Sequence, residues 1–256
     1  MSTVLPFLVV CGLLAAVLVS IEVGRRIGVR RRSRIPPGTP LVNPTVEGSV
    51  FALMGLLLGF TFYGAGARFD ARRTLVVREA NAIMTTYLRL DLLPPEAQPE
   101  LRHAFRKYVR SRLDVYRNIP NTNALKAALD QSWGIQRDIW QKTVEAVKAG
   151  GPAEKSLVLG TLNEMIDLTT EQTVALMTHP PRGVFVMLAL TVLASSALVG
   201  HTIVAGAIRD WVSATIFALM VSMVVYVILD YEFPRAGFIR IDPVDQVLVE
   251  TLQQMK

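Results

Sequence analysis

The sequence predicts an all-α membrane protein: four transmembrane helices, with an all-helical extramembrane domain inserted between the second and third. Three observations carry this expectation. Four stretches are apolar over about 20 residues, the length that crosses a bilayer as a helix. A polar-rich segment, 68–183, separates the second stretch from the third. Within that segment apolar residues recur at steps of three and four, and no strand-like alternation of any length interrupts them. The chain has 256 residues, 51% of them hydrophobic, and a mean hydropathy of +0.38. That length allows one or two domains.

The first span covers 4–23, with one acid, Glu22, at its end. The motif LVVC at 8–11 faintly resembles a lipoprotein cleavage site. Val10 is too large for that pattern, and no basic segment precedes it. Cys11 is the single cysteine, so no disulfide or multi-cysteine metal site forms within the chain, and it is expected to pack as a small apolar residue. Residues 24–34, GRRIGVRRRSR, hold six arginines and no acid. A basic cluster that abuts an apolar run is explained by the positive-inside rule, which sets nucleic acid aside as a partner.

The second span covers 48–67 and includes GLLLG at 55–59. The spacing of Gly55 and Gly59 permits close helix packing. No Pro or Gly occurs between Arg68 and Leu93, so the helix is expected to leave the membrane unbroken and continue to Pro94-Pro95. A second amphipathic helix follows through Leu101, Phe105, Tyr108, Val109, Leu113 and Tyr116, and Pro120-Asn121 breaks it. A third runs through Leu125, Leu129, Trp133, Gln136, Trp140, Val144 and Val147 to Gly150-Gly151. Pro152 opens a fourth, with Leu159, Leu162, Ile166, Thr169 and Leu176 as its apolar positions. The third and fourth spans, 184–206 and 211–229, form a hairpin about a turn at 208–210. The expected units are 1–67, 68–183, 184–229 and an interfacial tail, 230–256.

Four spans place both ends of the chain and the insert on one side of the membrane. The six arginines put the loop 24–47 in the cytoplasm and the insert in the periplasm. Arg68, Arg72, Arg73 and Arg78 pull the other way.

No residue set reads as catalytic, so the expectation is a non-enzyme without a cofactor or metal. His103, His179 and His201 have no metal-ligand neighbour at helical spacing, and no nucleotide-binding loop occurs. His201, near the end of the third span, reads as an interfacial histidine. Glu164 and Asp167 read as a solvated helix face. In the tail LDYEFPRAGFIRIDP, Asp230, Glu232, Arg235 and Arg240 stand at the water side of the fourth span. The plain expectation there is an interfacial segment. The sharper one pairs these charges with Arg68, Asp70, Arg72 or Arg73.

The block EGSVFALMGLLLGFTFYGAGARFDARRTLVVREANAIMTTYLRLDLLP at 47–94, with the tail LDYEFPRAGFIRID, resembles a bacterial membrane family with a bestrophin-like domain. More distantly, LGFTFYGAGARFD at 58–70 is similar to the second span of bestrophins, which are pentameric anion channels with helical soluble parts. That resemblance implies a homo-oligomer passing small anions, with Ala52, Leu56 and Phe60 at the neck. Ala52 is smaller than the family's neck residue. Arg68 and Arg72, with Asp70 between them, are expected to continue that line as vestibule charge. The bestrophin calcium clasp needs an acidic run, and Asp230 with Glu232 falls short of one. Bestrophins keep their soluble part in the cytoplasm, opposite to the side that the arginine cluster implies. A non-conducting interaction or sensor protein, with the insert binding a partner, is the alternative.

Overall fold

The computed structural model describes residues 4–34, 36, 43–119, 122–203, 211–235, 238–239 and 242–255. These form eight α-helices and no strand among the described residues: α1 Val4–Arg32, α2 Pro44–Arg89, α3 Gln98–Asn118, α4 Thr122–Ala146, α5 Pro152–Met177, α6 Arg182–Ile203, α7 Trp211–Glu232 and α8 Asp242–Gln254. Single 3-10 turns close α2 and α4, at Leu90–Leu92 and Val147–Ala149. Among the described residues, four helices are long and apolar enough to cross a membrane. The protein is an all-α integral membrane protein. The turn at 208–210, the break at Pro120-Asn121 and Arg240 lie outside the described residues.

The chain forms two compact units: 1–68 with 179–239, and 69–178 with 240–256. In the first unit, α1 packs along α6 and α7. Val17 and Ile21 of α1, Met54 and Ala65 of α2, Leu188 and Val192 of α6 and Ala218 and Val225 of α7 share one apolar core. Small residues set the closeness of α1 and α6. A Cβ at Gly24 would stand 1.8 Å from the Ala197 carbonyl oxygen, and one at Gly200 the same distance from that of Ile21. Beside them the Ser20 hydroxyl donates to the Leu193 carbonyl at 2.7 Å. Glu22 is neutralised locally, accepting from Arg25 at 2.7 Å and Arg26 at 2.9 Å. Cys11, expected to pack, is exposed on α1.

In the second unit, the later part of α2 and helices α3, α4, α5 and α8 enclose a core that includes Ile83, Phe105, Tyr108, Ile139, Leu162 and Met165. All six apolar positions expected on α3 are buried. On α4 the expected positions Leu129 and Gln136 are buried and Trp133 is 40% exposed, while Ser132, Ile139 and Thr143 join the stripe, fully buried. Ser132 and Thr143, as hydroxyl residues, give no hydrophobic signal of their place in it. The helix α8 has no counterpart among the expected elements. Leu248 and Met255 bury into this core, so the segment after 229 is shared between the two units.

Inside the second unit, the Glu79 carboxylate accepts from the Arg112 guanidinium and the Tyr116 hydroxyl. Both charged side chains of that pair are fully buried. Tyr108 is bonded to the Thr169 hydroxyl at 2.7 Å.

Candidate functional site

The helix α2 presents two unlike sides. Met54 and Ala65 are buried in the first unit's core. On the other side Ala52 is exposed, and Leu56, Phe60 and Tyr63 are 55%, 68% and 76% exposed. At about 100° per residue these four positions lie within one quadrant of the helix. An apolar stripe that its own chain leaves bare faces lipid, another subunit or a pore.

Gly55 and Gly59 flank this stripe. A Cβ at either would meet nothing within 4 Å, so neither packs a helix of this chain among the described residues. The close approach within the chain belongs to Gly24 and Gly200. Sequence signals existed there, since Ser20 with Gly24 and Ser196 with Gly200 each place two small residues one turn apart. Nothing in the sequence says that the two pairs meet.

The expected line of vestibule charge does not follow the stripe. Helical geometry puts Arg68 and Arg72 about 160° and 200° from Ala52, on the far side of α2. Arg72 is 4% exposed, and its guanidinium donates to the carbonyls of Ala175 at 3.1 Å and Thr178 at 2.9 Å. It closes the carbonyl end of α5, as basic groups do at helix C-termini. Asp70 is 76% exposed, with Arg73 at 4.0 Å as its nearest ion-pair partner. Asp70 stays in line with Ala52, and Arg78, 3.6 Å from Glu171, in line with Phe60.

Arg68 meets the tail instead. Its Nε donates to Glu232 at 2.8 Å, and Glu232 is 1% exposed. His179 Nδ1 lies 3.0 Å from the other carboxylate oxygen, and its ring stacks on Phe233 at 5.0 Å. The His179 contact was invisible in the sequence because 53 residues separate the partners. Asp230, also buried, accepts from the backbone N–H groups of Phe238 at 3.1 Å and Ile239 at 2.8 Å, which folds the tail back over the end of α7. Arg235 is half-buried. His201 is 8% exposed, and Glu164 and Asp167 are exposed. No cluster among the described residues could hold a metal ion.

Beside the Arg68–Glu232 pair lies a cavity of about 380 Å³, bounded by α2, α6 and α7 and walled mainly by apolar side chains such as Leu57, Phe185, Leu188 and Ile228.

A four-span, all-helical membrane bundle carrying a helical extramembrane unit is the class that this geometry defines. The family model for the bestrophin-like domain matches residues 11–246, and the chain belongs to that family. Solved structures agree in fold. Two point variants of a bacterial bestrophin homologue from Klebsiella pneumoniae superpose with TM-scores of 0.73 and 0.72. The first is 16% identical, over 96% of this chain and 99% of that one. The second is 15% identical, over 96% and 97%. A third variant of that homologue, at 13% identity, covers 98% of both chains with a TM-score of 0.69. Among curated proteins none gives a significant match.

Proposed function

We propose that the chain is one subunit of a homo-oligomeric, bestrophin-like ion channel whose pore is lined by α2. The observation that carries this reading is the bare stripe of α2, with Leu56 55% and Phe60 68% exposed. Exposed apolar residues on α7, such as Met220 and Met223, are what lipid contact alone requires. The α2 stripe differs in being flanked by open glycines that let a neighbouring helix approach. Ala52, Leu56 and Phe60 then form the neck, with Phe60 as its widest obstruction, and apolar constrictions gate by dewetting. The family resemblance supplies five subunits and small anions. Of the two guanidiniums expected at the vestibule, Arg72 is buried and Arg68 bonds Glu232 through its Nε alone, while two exposed charges follow the neck along α2, Asp70 in line with Ala52 and Arg78 in line with Phe60. The chain functions as a membrane channel rather than an enzyme, in a bacterial inner membrane. The arginine-rich loop after α1 favours the insert on the periplasmic side, which a reporter fused at Lys256 tests.

Purified protein in liposomes passes ions above the empty-vesicle background, and Phe60→Ala changes that flux several-fold. Verified oligomers without flux sink the proposal. The non-conducting interaction reading has one feature in its favour: Trp133, 40% exposed, groups with Gln136, Arg137 and Trp140 on the surface of the helical unit.

A further inference from the structure

Arg68 spends only part of its guanidinium on Glu232. The Nε makes that bond. The terminal nitrogens turn toward Gly64, where a Cβ would lie 3.3 Å from Nη1 and 3.7 Å from Nη2. They have no hydrogen-bond partner among the described residues. Gly64 and Arg68 both line the cavity of about 380 Å³, a volume within the range of ligand pockets. Arg182 is exposed, has no ion-pair partner among the described residues, and stands in sequence between the lining residues Pro181 and Val184.

The cavity has a direction. Its lining on α2 runs from Leu57 to Arg68, eleven residues, or roughly 16 Å of helix. One leaflet is half of an about 30 Å hydrocarbon core, nearly the same depth. Its walls are apolar, and its one open cationic fork is at the aqueous end. A guanidinium with two free terminal nitrogens matches two oxygens of a phosphodiester. Glu232 carries the opposing charge, but it already accepts from Arg68 and adjoins His179.

We propose that this cavity is a phospholipid site: one acyl chain lies between α2 and α6, and the anionic phosphate is held by the terminal nitrogens of Arg68. Conduction is not required for this. Binding is read without flux, so failure of the channel reading leaves the lipid site standing, and the reverse.

The test uses the full chain in detergent with three separate probes: dioleoylphosphatidylglycerol, dioleoylglycerol and inorganic phosphate. Native mass spectrometry counts bound lipid, and the melting temperature reports its effect. Phosphatidylglycerol is expected to bind once per chain and to raise the melting temperature more than dioleoylglycerol. Inorganic phosphate alone has little effect. R68K, which keeps the charge facing Glu232 but loses the fork, weakens phosphatidylglycerol binding about tenfold or more and brings it near dioleoylglycerol. M187W, placed on an exposed lining residue, blocks both lipids. If R68K does not fold, M187W and the comparison of the two lipids on wild type decide. Equal binding of both lipids, binding undiminished in M187W, or a full shift from inorganic phosphate alone overturns the site.

Discussion

Glu79 and Arg112 are charged residues at positions that the helix pattern reserves for the core. Glu79 lies between Val76 and Ile83 on the buried side of α2, and Arg112 lies one turn from both Tyr108 and Tyr116 on α3. Burying a pair costs desolvation, and breaking it costs more, because the survivor keeps its charge without a partner. Removing Glu79 alone, as Glu79→Leu, is expected to destabilise the folded chain by about 3–5 kcal/mol in denaturant titrations. The triple change E79L/R112M/Y116F recovers most of that loss. If the single and triple variants are equally unstable, the pair is not what matters there. The two tyrosines add a pH dependence. Burial pushes the Tyr108 hydroxyl well above the ordinary phenol range. Burial and then the Glu79 carboxylate do the same for Tyr116. Unfolded tyrosines titrate near pH 10 or so. The folded chain therefore holds protons that the unfolded chain releases. That stability is complete below about pH 10 and falls as pH rises toward the folded values. Midpoints measured by circular dichroism should drop as pH rises from about 10 to 12, less steeply in Tyr108→Phe. A flat profile over that interval contradicts the assignment. The sequence showed a charge at each of these sites, but pairing across 33 residues requires the fold.

At the scale of helices, what was legible depended on whether a partner had to be known. A span needs only about 20 apolar residues, so all four were legible. Pro152 opens α5 as expected, because proline is tolerated at a first turn on local grounds alone. The stripe on α4 is legible at Leu129 and Gln136 but not at the hydroxyl residues Ser132 and Thr143, and α8 is a helix where the tail reads as merely interfacial. Glycine is the clearest case. The pair Gly55 and Gly59 looked like a packing motif, yet both face open space, while Gly24 and Gly200 carry the contact between α1 and α6. An added methyl at either of these two meets backbone, which cannot swing away. Gly24→Ala and Gly200→Ala should each cost about 1–3 kcal/mol or more through overpacking. Thermal melts in detergent check this. Gly55→Ala and Gly59→Ala should melt like wild type as single chains. Should they instead break up an oligomer on size-exclusion chromatography, the open glycines are an intersubunit contact. Loss of the fold in Gly55→Ala contradicts its open surroundings.

The whole molecule is where charge preference belongs, because a charge acts on permeating ions only through its position about a shared axis. Family membership and the match to solved folds establish an integral membrane architecture. They do not choose the sign of the ion. The sequence suggested anions through Arg68 and Arg72. The side chains withdraw Arg72, which closes α5, and tie Arg68 to Glu232 through its Nε. Along α2, Asp70 comes eighteen residues after Ala52 (70 − 52), which is about five turns, so it returns to the same angular position. If Ala52 faces an axis, symmetry turns each Asp70 into one member of a ring of negative charge. Such a ring raises the local concentration of cations and opposes anion entry. Asp70→Asn is a mild probe, since the carboxylate is 76% exposed and its nearest cation is 4.0 Å away. Reversal potentials across a potassium chloride gradient, measured on reconstituted wild type and D70N, read the result. A shift toward chloride in D70N puts Asp70 on the conduction path and makes wild type the more cation-preferring of the two. An unchanged potential takes Asp70 off that path, and then anion preference must come from a charge other than Arg72, which is buried, or from the neck itself. Either result also tests the orientation of α2, because a stripe that faces lipid would leave the potential indifferent to every charge along it.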